Sequence, residues 1–300
     1  MRGLTRTFAL GLVLAFIATA CTGGGTATPS ATAAATASTS TRPRFELSTY
    51  QYSLQTKGKI RIGTQEDNTP FSVKNPATGK WDGFDVAYGR EIAKGIFGES
   101  DDPDKFIEWV PVTSATRIPT LTDNKADVII KTFTINEDRK KQIDFTDVYF
   151  KTGQRILVKK DNTSIKEAAD LAGKTVCAQR GSTSEQNITT ATGGAARPLL
   201  LDSYPACLLA LQQGQADAIS TDETILFGLA KADPNTKLVG KYFSTELYGI
   251  GVKKSAGDRT GFVDFLNRTQ VAMITNGVWA KLYEQYISPV SFDKKRTPDD

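Results

Sequence analysis

Between about residues 46 and 287, apolar and polar positions follow two alternating rhythms. Short β-branched and aromatic runs predict strands at 59–63, 106–112, 126–131, 155–159, 174–178, 216–220 and 248–252. Helical spacing separates them: Phe84, Ala87, Tyr88, Ile92 and Ile96 follow Gly83, and Phe262, Phe265, Leu266 and Ala272 repeat the pattern near the end. Ser164 followed by Glu167 predicts a capped short helix ending near Leu171. Strands alternating with helices predict an α/β protein with largely parallel sheets, and about 240 residues exceed one ordinary core, so two lobes are expected. An internal echo points the same way. Leu121-Thr-Asp-Asn-Lys-Ala-Asp-Val-Ile129 and Leu211-Gln-Gln-Gly-Gln-Ala-Asp-Ala-Ile219 share a helix end, a polar turn, Ala-Asp and a strand, and Gly58-Lys59 recurs as Gly173-Lys174. Hydroxyl-rich turns follow both echoed strands, at the carboxyl ends where open α/β sheets hold ligands.

Outside that window the pattern changes. Residues 1–20 carry Arg2 and Arg6 before an apolar run too short to span a membrane, which reads as a secretory signal. The run ends Ala18-Thr-Ala-Cys21, similar to a bacterial lipobox with Ala18 in place of the usual Leu, so Cys21 is the expected lipidation site; ordinary cleavage after Ala20 is the alternative. Residues 22–41 contain only Thr, Gly, Ala, Pro and Ser, so 21–45 reads as a lipid-anchored tether spanning roughly 25 Å. A location on the outer face of the cell membrane is the expectation. Residues 289–300 form a polar tail. Export favours pairing of Cys177 with Cys207, worth roughly 3 to 4 kcal/mol, the alternative being two buried thiols.

Composition then removes chemistries. The chain has 300 residues and no histidine, which excludes Ser-His-Asp triads, Cys-His dyads and HExxH zinc sites; three cysteines cannot build a four-thiolate metal site. No cofactor is expected. A net charge of +4 spread along the chain gives no support to nucleic-acid binding. Arg139 follows a turn where a helix would start, a place suited to gripping a carboxylate, although Arg139, Lys140 and Lys141 also read as a solvated basic face. Gly181-Ser182-Thr183-Ser184-Glu185 reads either as an anion-binding turn or as a plain helix cap. Gly173-Lys174-Thr175 lacks the first glycine of a phosphate-binding loop, since Ala168 stands there.

The run from Ala126-Asp127 through Thr132-Phe-Thr134 and Glu137-Asp-Arg139-Lys-Lys to Asp144-Phe-Thr-Asp147 resembles the signature of family 3 extracytoplasmic solute-binding proteins, the polar amino acid receptors of ABC importers. Ile60-Arg-Ile-Gly63, Gly83-Phe-Asp-Val86 and Leu247-Tyr-Gly-Ile-Gly-Val252 extend the resemblance. It implies a type II two-lobed fold with two crossing hinge segments, near 151–153 and 243–248. Lobe 1 would hold 46–151 plus 245–288, and lobe 2 would hold 152–244. It also implies roles: Arg139, Thr134 and the Ser182/Thr183 turn for the α-carboxylate, Asp222 with Thr132 for the α-ammonium, and Ser114 and Arg117 for the ligand side chain. Ser114-Ala-Thr-Arg117 and Thr221-Asp222 are most similar to glutamate/aspartate binders, and Arg117 with Lys131 favours a carboxylate. Gln65 and Tyr204 stand where enteric members carry arginine and histidine, which keeps glutamine and asparagine open. The implied partners are an amino acid, a membrane permease and the membrane itself, with the receptor acting as a monomer. The rivals are a sensor of the same fold and a dehydratase- or lyase-like enzyme, for which Glu66, Asp67 and Glu223 are the available acids.

Overall fold

Two five-stranded sheets with the same strand order divide the chain into lobes. The computed structural model describes residues 42–291, so the expected signal, the Cys21 lipidation site, most of the tether and residues 292–300 lie outside the described residues. In the first sheet, Ile107–Pro111, Ile60–Thr64 and Val128–Ile129 run parallel, followed by Gly251–Lys253 antiparallel and then Ile143–Phe145. In the second, Arg197–Leu201, Thr175–Gln179 and Ala218–Asp222 run parallel, followed by Gln154–Lys159 antiparallel and then Thr236–Val239. Phe150–Thr152 and Glu246–Tyr248 pair antiparallel and carry the chain between the lobes. The two-lobed α/β expectation is met.

The echo in the sequence encodes one clamp used twice. Asp127 N–H donates to Arg61 O at 2.9 Å, and Asp127 Oδ2 accepts from Arg61 N–H at 2.7 Å. In the other lobe, Asp217 N–H donates to Thr175 O at 2.8 Å and Asp217 Oδ2 accepts from Thr175 N–H at 2.7 Å. Each aspartate therefore pins the start of its strand, Val128–Ile129 or Ala218–Asp222, to the neighbouring parallel strand, Ile60–Thr64 or Thr175–Gln179, ahead of the turns that carry the site. Only Asp127 is buried, and it also takes Arg61 Nη2 at 2.6 Å and Tyr50 OH at 2.7 Å.

Phe84–Phe97 is helical because Phe84, Tyr88, Ile92 and Ile96 repeat at four-residue spacing and bury one stripe completely. Gly83 starts it at φ 121°, and a Cβ there would lie 2.4 Å from Phe71 O, so only glycine fits. The stripe meets an aromatic cluster of Phe71, Tyr149, Phe150, Tyr248 and Trp279, whose Nε1 donates to Tyr149 O at 2.7 Å. Each such side chain contributes about 1.5 to 3 kcal/mol on burial.

Three expected elements differ, and the first is the strand expected at 126–131, which is only Val128–Ile129. The run at 248–252 is not one strand: Glu246–Tyr248 belongs to the crossing pair and Gly251–Lys253 to the first sheet, with the chain changing sheets between them. The helix expected after Ser164 is a single 3-10 turn, Ala168–Leu171, and its capping box is Glu167 with Asp170. Asn162 Oδ1 accepts from the N–H groups of Ser164 and Ile165, which holds that stretch in a loop. Residues 42–45 pack onto the first lobe: Arg42 Nη2 donates to Gln55 O at 2.6 Å, and Phe45 meets Phe265 edge-on at 5.4 Å. Cys177 and Cys207 form a disulfide joining Thr175–Gln179 to the helix Tyr204–Gln212.

Candidate binding site between the lobes

The residues singled out in the sequence converge on the carboxyl ends of the parallel strands. Gln65 follows Ile60–Thr64, Ser114 and Arg117 follow Ile107–Pro111, Lys131 to Thr134 follow Val128–Ile129, and Ser182 and Thr183 follow Thr175–Gln179. Asp222 ends Ala218–Asp222. Gln65, Ser114, Arg117, Lys131, Thr132, Thr134, Arg139 and Asp222 are all buried, while Ser182 and Thr183 are half-buried.

Asp85 shapes the first-lobe wall. Its Oδ2 accepts from Thr132 N–H at 2.9 Å and its Oδ1 from Tyr149 OH at 2.9 Å. That anchor holds Thr132 at φ 36°, a left-handed conformation that a β-branched residue adopts only when its surroundings impose it. The kink brings the carbonyls of Lys131 and Thr132 to Arg117 Nη1, at 3.0 and 3.3 Å. Arg117 is therefore turned inward and away from any surface acid: its guanidinium lies over the Phe133 ring, 3.9 Å from the centroid, and Arg139 lies over the same ring at 5.2 Å. Lys140 and Lys141 form exposed pairs with Glu137 and Asp138, so only Arg139 of the basic run turns inward.

Gln179, which the sequence reading missed, joins the two walls. Its Oε1 accepts from Ser114 Oγ and Lys131 Nζ, both at 2.9 Å, and its Nε2 donates to Gln65 Oε1 at 2.9 Å. Arg139 also crosses, donating from Nη1 to Thr134 O at 2.6 Å and from Nη2 to Gly181 O at 3.3 Å. Glu246, equally missed, sits in the crossing strand and accepts from Thr134 Oγ1 at 2.7 Å, Thr183 Oγ1 at 2.8 Å, Asn187 Nδ2 at 2.7 Å and Ser244 Oγ at 2.6 Å. The hydroxyl protons of Thr134 and Thr183 thus go to Glu246. The signal for Gln179 was its place as the last strand residue before the Gly181 turn; Glu246 had none, because Thr134 and Thr183 are far from it in sequence.

Electrostatically the site is strained toward neutrality. Burial pulls the Arg117 guanidinium and the Lys131 ammonium well below their usual values; the charge of Arg139 adds to the first, and those of Arg117 and Arg139 add to the second. Arg139 falls to about 10 for the same first reason, with Glu246 and Asp222 opposing. Burial, then the negative charge of Glu246, raises Asp222 to about 7, although Tyr248 OH donates to its Oδ2. Among the described residues no carboxylate accepts a hydrogen bond from Arg117 or Lys131. Arg117 Nε, Ser182 Oγ and Asp222 Oδ1 are buried without a protein partner, and Ser182 makes no capping bond. The acids considered for catalysis sit elsewhere: Glu66 pairs with Lys74 on the surface, Asp67 accepts from Gln65, and Glu223 is held by Arg155 and Tyr242.

Two like lobes thus meet over three buried cations, Arg117, Lys131 and Arg139, and the buried carboxylates Asp222 and Glu246, an arrangement suited to holding a small charged molecule between them. Residues 60–289 match the model of the bacterial extracellular solute-binding proteins, family 3. The chain belongs to that family. Among curated members it is similar to the glutamine-binding protein of a Bacillus subtilis ABC transporter, 39% identical over 236 residues, 78% of this chain and 83% of that protein. It is 44% identical to a glutamine-binding protein of Geobacillus stearothermophilus over 67% of this chain and 75% of that one, and 31% identical to a glutamate-binding protein of Corynebacterium efficiens over 73% and 76%. Among solved structures, an ancestral arginine-binding protein bound to glutamine superposes with a TM-score of 0.69 at 37% identity, covering 76% of this chain and 97% of that one.

Proposed function

We propose that this family 3 member is the receptor of an ABC importer, held on the outer face of the cell membrane through lipid on Cys21, and that it closes on an acidic L-amino acid, glutamate or aspartate. The observation that carries the acidic reading is the pair of buried cations, Arg117 and Lys131, with no carboxylate bonded to either. A ligand carboxylate there gives both cations the bonded, oppositely charged partner that buried ionised groups require. In this reading Arg139 and the Ser182 turn take the α-carboxylate. Asp222 Oδ1 takes the ammonium with Thr132 beside it, and Ser114, Arg117 and Lys131 take the side chain, with Gln65 buried beside them and Thr183 in the Ser182 turn. A receptor rather than an enzyme is the reading supported by the curated relatives, each named as a binding protein.

Glutamine is the second reading, favoured by the names of the two relatives at 39% and 44% identity and by the Gln65–Gln179 amide pair, which offers both a donor and an acceptor. Calorimetry on protein stripped of bound ligand by unfolding and refolding separates the two. Acids binding at least about tenfold tighter than amides, 1.4 kcal/mol, supports the first; the reverse preference sinks it. Uptake by a gene-deleted strain tests transport against sensing, and mass spectrometry of the mature N-terminus tests the lipid on Cys21.

A further inference from the structure

The lobe 2 helix Glu223–Ala232 begins directly after Asp222 and contains Gly228. Gly228 has no left-handed φ, so its backbone conformation does not call for glycine, and glycine is a poor helix former. Its reason is contact with the other lobe. A Cβ at Gly228 would lie 2.2 Å from Thr69 O and 2.9 Å from Thr69 C, atoms of the backbone that no side-chain rotation can move away. Thr69 follows Asn68, whose Nδ2 donates to Thr132 Oγ1 in the site at 3.4 Å. A second lobe 2 glycine makes a like approach to lobe 1: a Cβ on Gly181 would lie 2.8 Å from Ala115 Cα, next to Ser114. Gly181 has φ 74° and is required by its own turn as well, so it does not isolate the effect.

We propose that Gly228 is a positioning residue that sets how far the lobes close: the missing side chain lets the Asp222 helix reach the Thr69 turn, and any Cβ stops the motion short. This rests on the receptor reading above, in which Asp222 and the first-lobe wall must meet around one ligand. The apparent affinity scales with the fraction of molecules that reach the closed arrangement, so a residue touching no ligand changes binding through closure alone.

The test uses the full chain carrying Cys21→Ser, with Gly228→Ala and Gly228→Val, titrated with L-glutamate and L-glutamine. Expected is at least a tenfold loss of affinity for Gly228→Ala, a larger loss for Gly228→Val, and a ligand-free melting temperature no lower than the parent's. Affinity within twofold of the parent overturns the proposal. So does a fall in ligand-free melting temperature that accounts for the loss, since that marks ordinary packing. Should the parent bind neither amino acid, the receptor reading fails separately, and crystal structures decide: a wider separation of residue 228 from Thr69 in Gly228→Val supports the stop, and an unchanged one overturns it.

Discussion

Arg139 and Arg117 lie on one phenyl ring and do different work. Arg139 reaches from Thr134 O to Gly181 O and so joins the lobes whatever the ligand side chain is. Arg117 is held by two carbonyls of the Thr132 kink and keeps Nε unpaired. Arg139→Ala is expected to abolish binding of every amino acid, a loss of about 2 to 5 kcal/mol for one partner of a buried charge pair, whereas Arg117→Ala chiefly changes the ratio of acid to amide affinity. Equal losses for all ligands in both variants, measured by calorimetry, would contradict this. Asp222 gives the pH dependence. With a pKa of about 7 it is partly protonated when unliganded, and a ligand ammonium favours the ionised form. Binding below pH 7 therefore releases a proton, and affinity rises about tenfold per pH unit from pH 5 toward 7, then levels. Asp85 also titrates near 7, so buffer-dependent calorimetry should show the release disappear in Asp222→Asn and persist if Asp85 is its source. Without ligand the sign is opposite. The folded state holds protons that an unfolded aspartate has lost above pH 4, so the contribution of these two groups to stability falls as pH rises from 4 to 7.

At the scale of elements, the repeated Ala-Asp clamp makes a graded prediction. Asp127 is 2% exposed and serves Arg61, Tyr50 and the strand start, whereas Asp217 is exposed and serves one backbone N–H. Asp127→Ala is expected to cost about 1.5 to 3 kcal/mol through the lost hydrogen bonds from Arg61 and Tyr50, and Asp217→Ala about 1 kcal/mol. Equal shifts in chemical denaturation midpoint would show that the two clamps are equivalent. The same comparison shows what local patterning can carry. The strands at 59–63, 106–112, 155–159, 174–178 and 216–220 were legible to within about two residues because a short run of β-branched and apolar residues, buried almost continuously in a parallel sheet, is a local property. The break at Gly249-Ile250 was not, because it depends on which sheet each half joins. The Ser164 helix failed where an Asn162 side chain outcompeted it for two backbone N–H groups.

Across the whole molecule, one hydrophobic cluster runs from Ile60, Ile62 and Phe84 in the first lobe to Leu157, Ile219 and Leu226 in the second. The described residues should therefore unfold in a single transition, and ligand at a hundred times its dissociation constant should stabilise that transition by about 2.7 kcal/mol. Scanning calorimetry showing two transitions, with only one moved by ligand, would contradict it. The sequence by itself determined the fold class, the duplication of α/β units and most of the residue types between the lobes, because hydrophobic period, turn chemistry and motif spacing act within a few residues. Only the tertiary structure decided that Arg117 is buried on Phe133 rather than paired at the surface, that Gln179 and Glu246 bind across the lobes, and that Gly228 must lack a side chain. Those outcomes depend on distances between segments separated by many residues of chain, and no local rhythm of apolar and polar positions records such a distance.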